Sequence, residues 1–242
     1  MRLYIIRHAD PDYPNNALSP AGHLEAAALA RRLAAHGLDH IYTSPLPRAY
    51  LTAQYTADLL KLPVQTEAWL IEVAGMGWIP EPDDPDDSIP AWDIPGVMLR
   101  REPGFHAWDT WHTLPPLDSP HMRDIFEHYA ASADAFLARH GCVRDGVRYR
   151  IAADNTLRIA AFCHNGTALL WLAHLLHIPP PLVWAGFWHP PSGVTTVLFE
   201  RRSEGGSEPA YAAPRCLSVA DTSHLYEARL PIQPRGIRGN YG

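Results

Sequence analysis

The segment Arg2–Ile6 is an apolar run that ends abruptly at Arg7 and His8, the pattern of a strand covered on both faces. Ser19 and Pro20 then supply an N-cap and a first helical residue. Ala26, Leu29, Ala30 and Leu33 recur at helical spacing, and Gly37 closes that segment. "HIYTS" predicts a second strand, after which Ser44-Pro45 is expected to open a second helix with Ala49, Ala53 and Leu60 inward. "LPVQT" predicts a short third strand. Strands thus alternate with helices from the start.

From Gly75 to about Pro120 the alternation fails. "IPEPDDPDDSIPAWDIPG" is rich in proline and acid, and Trp78, Trp92, Trp108 and Trp111 punctuate the stretch. So long an irregular insertion is usually functional or poorly ordered. A lid over a pocket, a dimer surface and a packed loop all stay open. Helical spacing returns with Phe126, Tyr129, Ala133 and Phe136. "VRYRIAADNTLRIAAFC" predicts two strands joined by a turn at Asp154-Asn155. A helix follows from Gly166 to His177, with Leu169, Leu172, Ala173 and Leu176 on one face. "GVTTVLFE" and "PRCLSVA" predict two more strands across a flexible "RRSEGGSEP", and the tail from about 231 to 242 has no packing pattern. The expectation is a single α/β domain over 1–242 with a mostly parallel central sheet, an insertion at about 75–120 and a flexible tail.

Composition changes this picture little. A hydrophobic content of 47% and a charged content of 19% are ordinary for a folded chain able to bury a core. A net charge of -6 without a Lys/Arg block gives no reason to expect nucleic acid. No apolar run reaches transmembrane length, and Arg7 and His8 come too early to leave room for a secretory apolar region. Cys142, Cys163 and Cys216 have no metal-type spacing and fit reduced thiols. These features lead us to expect a cytoplasmic protein with no membrane or nucleic-acid partner. Its oligomeric state stays open.

The candidate chemistry lies where strands end. Arg7 and His8 follow the first strand, Arg48 begins the helix after the second, Glu72 follows the third, and His164 sits between "IAAFC" and a helix. Ligands of open α/β sheets bind outside the carboxyl ends of strands. Two guanidinium groups can grip phosphate oxygens bidentately, and the helix start at Asn165-Gly166 adds backbone donors. A neutral imidazole is a competent nucleophile, a second imidazole can stabilise charge, and a carboxylic acid can protonate a leaving alkoxide. Phosphoryl transfer through a phosphohistidine uses all of these groups. His174 and His177 share a helix face, but nothing near them in sequence completes a metal ligand set. No metal or organic cofactor is expected.

The motifs "IIRHADPDY", "LSPAGHLEA", "YTSPLPRAYLTA", "LIEV" and "FCHNGTALL", in that order, resemble the histidine phosphatase superfamily. The resemblance implies a three-layer α/β/α, phosphoglycerate mutase-like fold. It further implies that His8 becomes phosphorylated, that Arg7, Arg48 and His164 hold phosphoryl oxygens, and that Glu72 gives and later takes a proton. Asn15 is implied as a lesser phosphate contact, with Asn16 close behind it, and Glu67 is the fallback acid. Two departures stand out. Ala9 replaces the usual glycine after the first histidine. Asn165 follows the second histidine where glycine is common, and it offers a side-chain donor to phosphate. The implied activity is hydrolysis of a small phosphomonoester; a phosphomutase of the same chemistry and a non-catalytic phosphate-binding module are the alternatives.

Overall fold

The computed structural model describes residues 1–73, 78–81, 84–152, 156–201 and 210–237. Its first half contains strands β1 (Arg2–Arg7), β2 (Pro11–Asp12) and β3 (Ala17–Leu18), helix α1 (Pro20–His36), β4 (His40–Thr43), α2 (Pro47–Leu60) and β5 (Val64–Thr66). The insertion then contributes β6 (Trp78–Glu81), β7 (Asp84–Pro90) and α3 (Gly96–Arg101). The second half holds α4 (Met122–Arg139), β8 (Cys142–Asp145), β9 (Arg148–Ile151), β10 (Arg158–Cys163) and α5 (Asn165–Leu176). It closes with α6 (Pro180–Gly186), β11 (Val194–Arg201), β12 (Tyr211–Asp221) and α7 (Ser223–Glu227).

Eight strands form the central sheet in the order β5-β4-β10-β1-β11-β12-β9-β8. The sheet is mixed, which corrects the expectation of a mostly parallel one. Strands β5, β4, β10 and β1 run parallel, with α1 carrying the chain from the β1 side to β4 and α2 from β4 to β5, whereas every pairing from β1 outward to β8 is antiparallel. The cause is connection length. Only Gly146 and Val147 separate β8 from β9, and so short a link permits nothing but a hairpin. The two strands expected around Asp154-Asn155 are nonetheless not partners of each other. β9 pairs with β8 and β12, while β10 lies between β1 and β4. The turn itself, like most of "RRSEGGSEP", lies outside the described residues.

β1 shows how the layers assemble. Leu3 and Ile5 point into a core shared with α4, α5 and the insertion, and Tyr4 and Ile6 point into another shared with α1 and α2. Alternate side chains of one strand thus serve opposite faces. Trp171 of α5 is fully buried and meets Trp69 and Phe136 edge to face.

The insertion is largely part of this core. β6 and β7 pair as a hairpin, and Ile79, Ile89, Ala91, Ile94, Leu99, Phe105, Trp111 and Leu117 are buried in the larger cluster. Of the three open readings, these residues fit a packed element. Its apolar residues escaped a periodicity search because short 3-10 turns and prolines interrupt them.

The second helix also starts later than expected. It begins at Pro47, and Ser44 Oγ accepts from Leu46 N (3.2 Å) ahead of it. In α1, by contrast, Ser19 is the N-cap and accepts from Gly22 N, as expected. Gly22 is required there by close approach: a Cβ would stand 2.1 Å from the Asp10 carbonyl oxygen. Gly22→Ala is therefore expected to destabilise the fold by about 1–3 kcal/mol, the usual cost of overpacking, read as a lower urea midpoint. An unchanged midpoint would refute the close approach of α1 to the loop after β1.

Candidate active site

Three adjacent parallel strands, β1, β10 and β4, end side by side and deliver the site. β1 delivers Arg7 and, just past its end, His8; β10 delivers His164; the turn after β4 delivers Ser44, followed by Arg48 in the first turn of α2. The His8 and His164 rings, 156 positions apart in sequence, meet edge to face with centroids 5.1 Å apart.

His8 has both ring nitrogens assigned by their partners. Nδ1 donates to its neighbour's carbonyl, Ala9 O (2.8 Å), so it carries the hydrogen. Nε2 accepts from Arg48 Nε (3.2 Å), so it holds the lone pair. Burial, reinforced by the Arg7 guanidinium, pushes the His8 pKa well below its ordinary 6.5. His164 is depressed likewise, by burial and then by His8 and the two arginines. Its Nε2 is hydrogen-bonded to Ser44 Oγ (2.8 Å), while Nδ1 is buried and has no partner. Both rings are neutral.

Arg7 is buried, donates from Nη1 to His189 O (2.6 Å) and Arg235 O (2.9 Å), and keeps Nε without a partner. Arg48 Nη1 donates to Asn16 Oδ1 (3.1 Å). Asn15 is exposed and donates to Asp12 Oδ2 (2.8 Å), so Asn16 is the asparagine that touches the site. Residue 16 reaches it through a left-handed backbone, with φ of 49°, which asparagine tolerates well.

Glu72 comes from the loop beyond β5. Its Oε1 accepts from Thr167 N (3.0 Å) at the start of α5 and from Val73 N (3.3 Å), while the Thr167 hydroxyl, 3.3 Å from Oε1, gives its one hydrogen to Ile71 O (2.7 Å). The donors expected to serve a bound phosphate at this helix start thus serve a carboxyl group of the chain itself. Burial still outweighs those hydrogen bonds and raises the Glu72 pKa above 4.5. Glu67 is no substitute, because it pairs with Arg139 and accepts from Trp69 Nε1. Asn165 is buried and uses Oδ1 to accept from His189 N (3.2 Å), so its side-chain oxygen holds the protein's own backbone.

Ala9, the first of the two departures noted in the sequence, is accommodated, as Asn165 is by its bond to His189 N. The Ala9 methyl is buried in a small cluster with Leu18 and Ala26, and Ala9 N donates to Thr52 Oγ1. Gly166 allows Trp92 of the insertion to lie on α5, since a Cβ there would stand 2.6 Å from the indole. Sequence reasoning missed Ser44, Asp10, His189 and Arg235. Ser44 and Asp10 stood inside quoted motifs; His189 and Arg235 carried no periodic or motif signal. Two further histidines have partners within the fold: His174 pairs with Asp134, and His224 is hydrogen-bonded to Ser192 Oγ. Among the described residues no group of three or more His, Cys, Asp or Glu could hold a metal, and no helix is long and apolar enough to cross a membrane.

Residues 3–91 match the family model described as histidine phosphatase superfamily (branch 1). Phosphoserine phosphatase 1 of Hydrogenobacter thermophilus is 34% identical over 87 residues, which are 32% of this chain and 41% of that protein. A second curated relative from that organism is 38% identical over 68 residues, 24% of this chain and 34% of its own length. The chain therefore covers less than half the length of these relatives. Among solved structures, a mutant phosphoserine phosphatase from Entamoeba histolytica in complex with phosphoserine aligns with a TM-score of 0.59 and 20% identity, over 93% of this chain and 98% of that one. A mycobacterial glucosyl-3-phosphoglycerate phosphatase aligns with a TM-score of 0.53 and 17% identity, over 90% and 97% of the two chains. The likeness to these structures is one of fold. Four of the five motifs that carried the resemblance lie within the residues the family model matches.

The depressed imidazoles set the acid stability. His8, His164, His189 (down to about 3), His140 and His224 (both down to about 4) stay neutral when folded and regain an ordinary pKa near 6.5 when unfolded. Below pH 6.5 the unfolded chain binds the extra protons, so stability falls as pH falls, by up to about 1.4 kcal/mol per pH unit for each group. Glu72, and Glu25 raised to about 7, act oppositely, because the folded chain holds their protons. The imidazoles outnumber them. The melting temperature should therefore decline from pH 7.5 to pH 5, and a flat or rising curve would contradict these assignments.

Proposed function

We propose that this protein is a phosphatase of the histidine phosphatase superfamily, hydrolysing a small phosphomonoester through a phosphohistidine on His8. The observation that carries this reading is the tautomer of His8. With Nδ1–H tied to Ala9 O and the ring neutral, Nε2 carries a lone pair beside two guanidinium groups. The positive charge of Arg7 and Arg48 complements a phosphate dianion. When phosphorus arrives, the Arg48 Nε–His8 Nε2 bond yields, and Arg48 turns its donors to the phosphoryl oxygens. Arg7 Nε, buried and without a partner, is a donor in waiting.

In the first step His8 Nε2 forms a bond to phosphorus while the bond to the leaving oxygen breaks. Nδ1 keeps its hydrogen on Ala9 O, so the new phosphoimidazole carries its positive charge against a carbonyl. Glu72, whose raised pKa favours the protonated form, gives its proton to the leaving alkoxide. His164, neutral and placed by Ser44, faces the same phosphorus and stabilises the equatorial oxygens. In the second step the Glu72 carboxylate takes a proton from water, water oxygen bonds to phosphorus, and the N–P bond breaks. Asn16 steadies Arg48, and Asn165 steadies the backbone at His189 rather than binding phosphate. Specificity falls to the surfaces bordering this pocket, and phosphoserine is the first substrate to test because the curated relatives bear that name.

Two measurements test the reading. Brief incubation with a labelled aryl phosphate should leave an acid-labile, base-stable phosphate on the protein, and His8→Ala should abolish it; equal labelling of the variant would sink the assignment. Glu72→Gln should slow turnover of an alkyl phosphate by roughly 10²–10⁴-fold, the range of general acid catalysis, and that of an aryl phosphate far less, because an aryl oxide leaves unaided. Equal losses on the two substrates would remove the proton-donor role from Glu72.

A further inference from the structure

The segment after α7 was expected to be the start of a flexible tail, yet residue 235 sits against the phosphate-binding arginine. Arg235 makes two kinds of contact there. Its side chain meets Asp10, Nε to Oδ1 at 2.7 Å and Nη2 to Oδ2 at 3.4 Å. Its main-chain carbonyl accepts from Arg7 Nη1 (2.9 Å) and from Trp188 Nε1 (3.2 Å). The next residue, Gly236, runs so close that a Cβ on it would be 3.7 Å from Arg7 Nη2. Arg7 Nη1 is thereby held between two carbonyl oxygens, those of His189 and Arg235, from segments far apart in the chain.

The far side of the ion pair is rigid. The Asp10 side chain is 3% exposed, and its Oδ2 accepts from Ser19 Oγ (2.6 Å), the N-cap of α1. Asp10 N donates to Glu25 Oε2 (2.9 Å), and Asp10 O accepts from Ser19 N (3.0 Å). Asp10 is thus a fixed post two residues beyond His8, and Arg235 is tied to it.

We propose that Arg235 is a positioning residue for Arg7: its side chain latches the C-terminal segment to Asp10, and this sets its carbonyl against Arg7 Nη1. A guanidinium group held at one nitrogen by two carbonyls cannot swing, so Nε stays presented to the phosphoryl oxygen. The inference rests on the phosphatase reading for its consequence in turnover, but the geometry it concerns is that of anion binding. Losing the latch removes one of the two carbonyls and lets the fork rotate, and a displacement of about 1 Å at a binding group can cost about 10²-fold.

The test compares wild type, Arg235→Ala and Arg235→Lys in the full chain, measuring steady-state turnover of an aryl phosphate and calorimetric affinity for inorganic phosphate. Arg235→Ala is expected to weaken phosphate binding and to lower kcat/KM by roughly 10–100-fold, with most of the change in KM. Arg235→Lys, which keeps a positive charge for Asp10, is expected to recover a substantial part of both. In an Arg7→Lys background, Arg235→Ala should cost little more, because the effect passes through residue 7. A wild type that binds phosphate but turns over no ester would defeat the phosphatase reading, and the phosphate affinities would then decide the latch alone. Affinity and kcat/KM for Arg235→Ala within about twofold of wild type would overturn the latch. So would a full effect of Arg235→Ala in the Arg7→Lys background, or a Lys variant no better than Ala.

Discussion

The site depends on holding an imidazole neutral beside two guanidinium groups. Burial makes a charged ring costly, the neighbouring positive charges make it costlier, and both effects lower the pKa of His8. A protonated His8 would have no lone pair for phosphorus, and the pocket would carry charge that a phosphate dianion could not balance. The same field lowers His164. In the proposed reaction the placement of Arg7 and Arg48 therefore does two things at once: it prepares the place for the anion and adds to burial in keeping His8 neutral.

Glu72 is governed by the opposite balance. Its carboxyl group lies at the start of α5, where backbone amides favour the anion, yet burial raises its pKa. A proton donor needs this compromise. In the proposed reaction Glu72 must hold a proton when the substrate arrives and tolerate its loss once the alkoxide has left, and the Thr167 and Val73 amides stabilise the carboxylate that results. In the proposed reaction the helix start thus acts through the acid rather than through the phosphate.

Much of this was legible along the chain because it was local. The abrupt change from Ile6 to Arg7 and His8 marked the end of a buried strand, and the Ser-Pro pair at 19–20 marked a helix start that the structure keeps. The Ser-Pro pair at 44–45 misled, since Ser44 turns its hydroxyl to Leu46 N and His164 and the helix waits for Pro47. The choice between Asn15 and Asn16 could not be read, because it hangs on a single left-handed residue in a short loop. The insertion looked irregular because hydrophobic residues spaced by prolines and short turns follow neither a helical nor an alternating period, yet they are buried in the larger core cluster.

The amino-acid order alone determined which residues stand at the ends of strands or in the loops and helix starts beyond them, and so which side chains could share the edge of a sheet: Arg7, His8, Arg48, Glu72 and His164. Those are consequences of nearest-neighbour pattern, which a linear reading contains. The direction of the strands beyond β1, the protonation of the two histidines and the contact of Arg235 with Asp10 and Arg7 were decided only in three dimensions. Each of these depends on burial or on partners scores of residues away. Solvent exclusion and long-range contact are properties of the folded surface, and no local stretch of sequence encodes them.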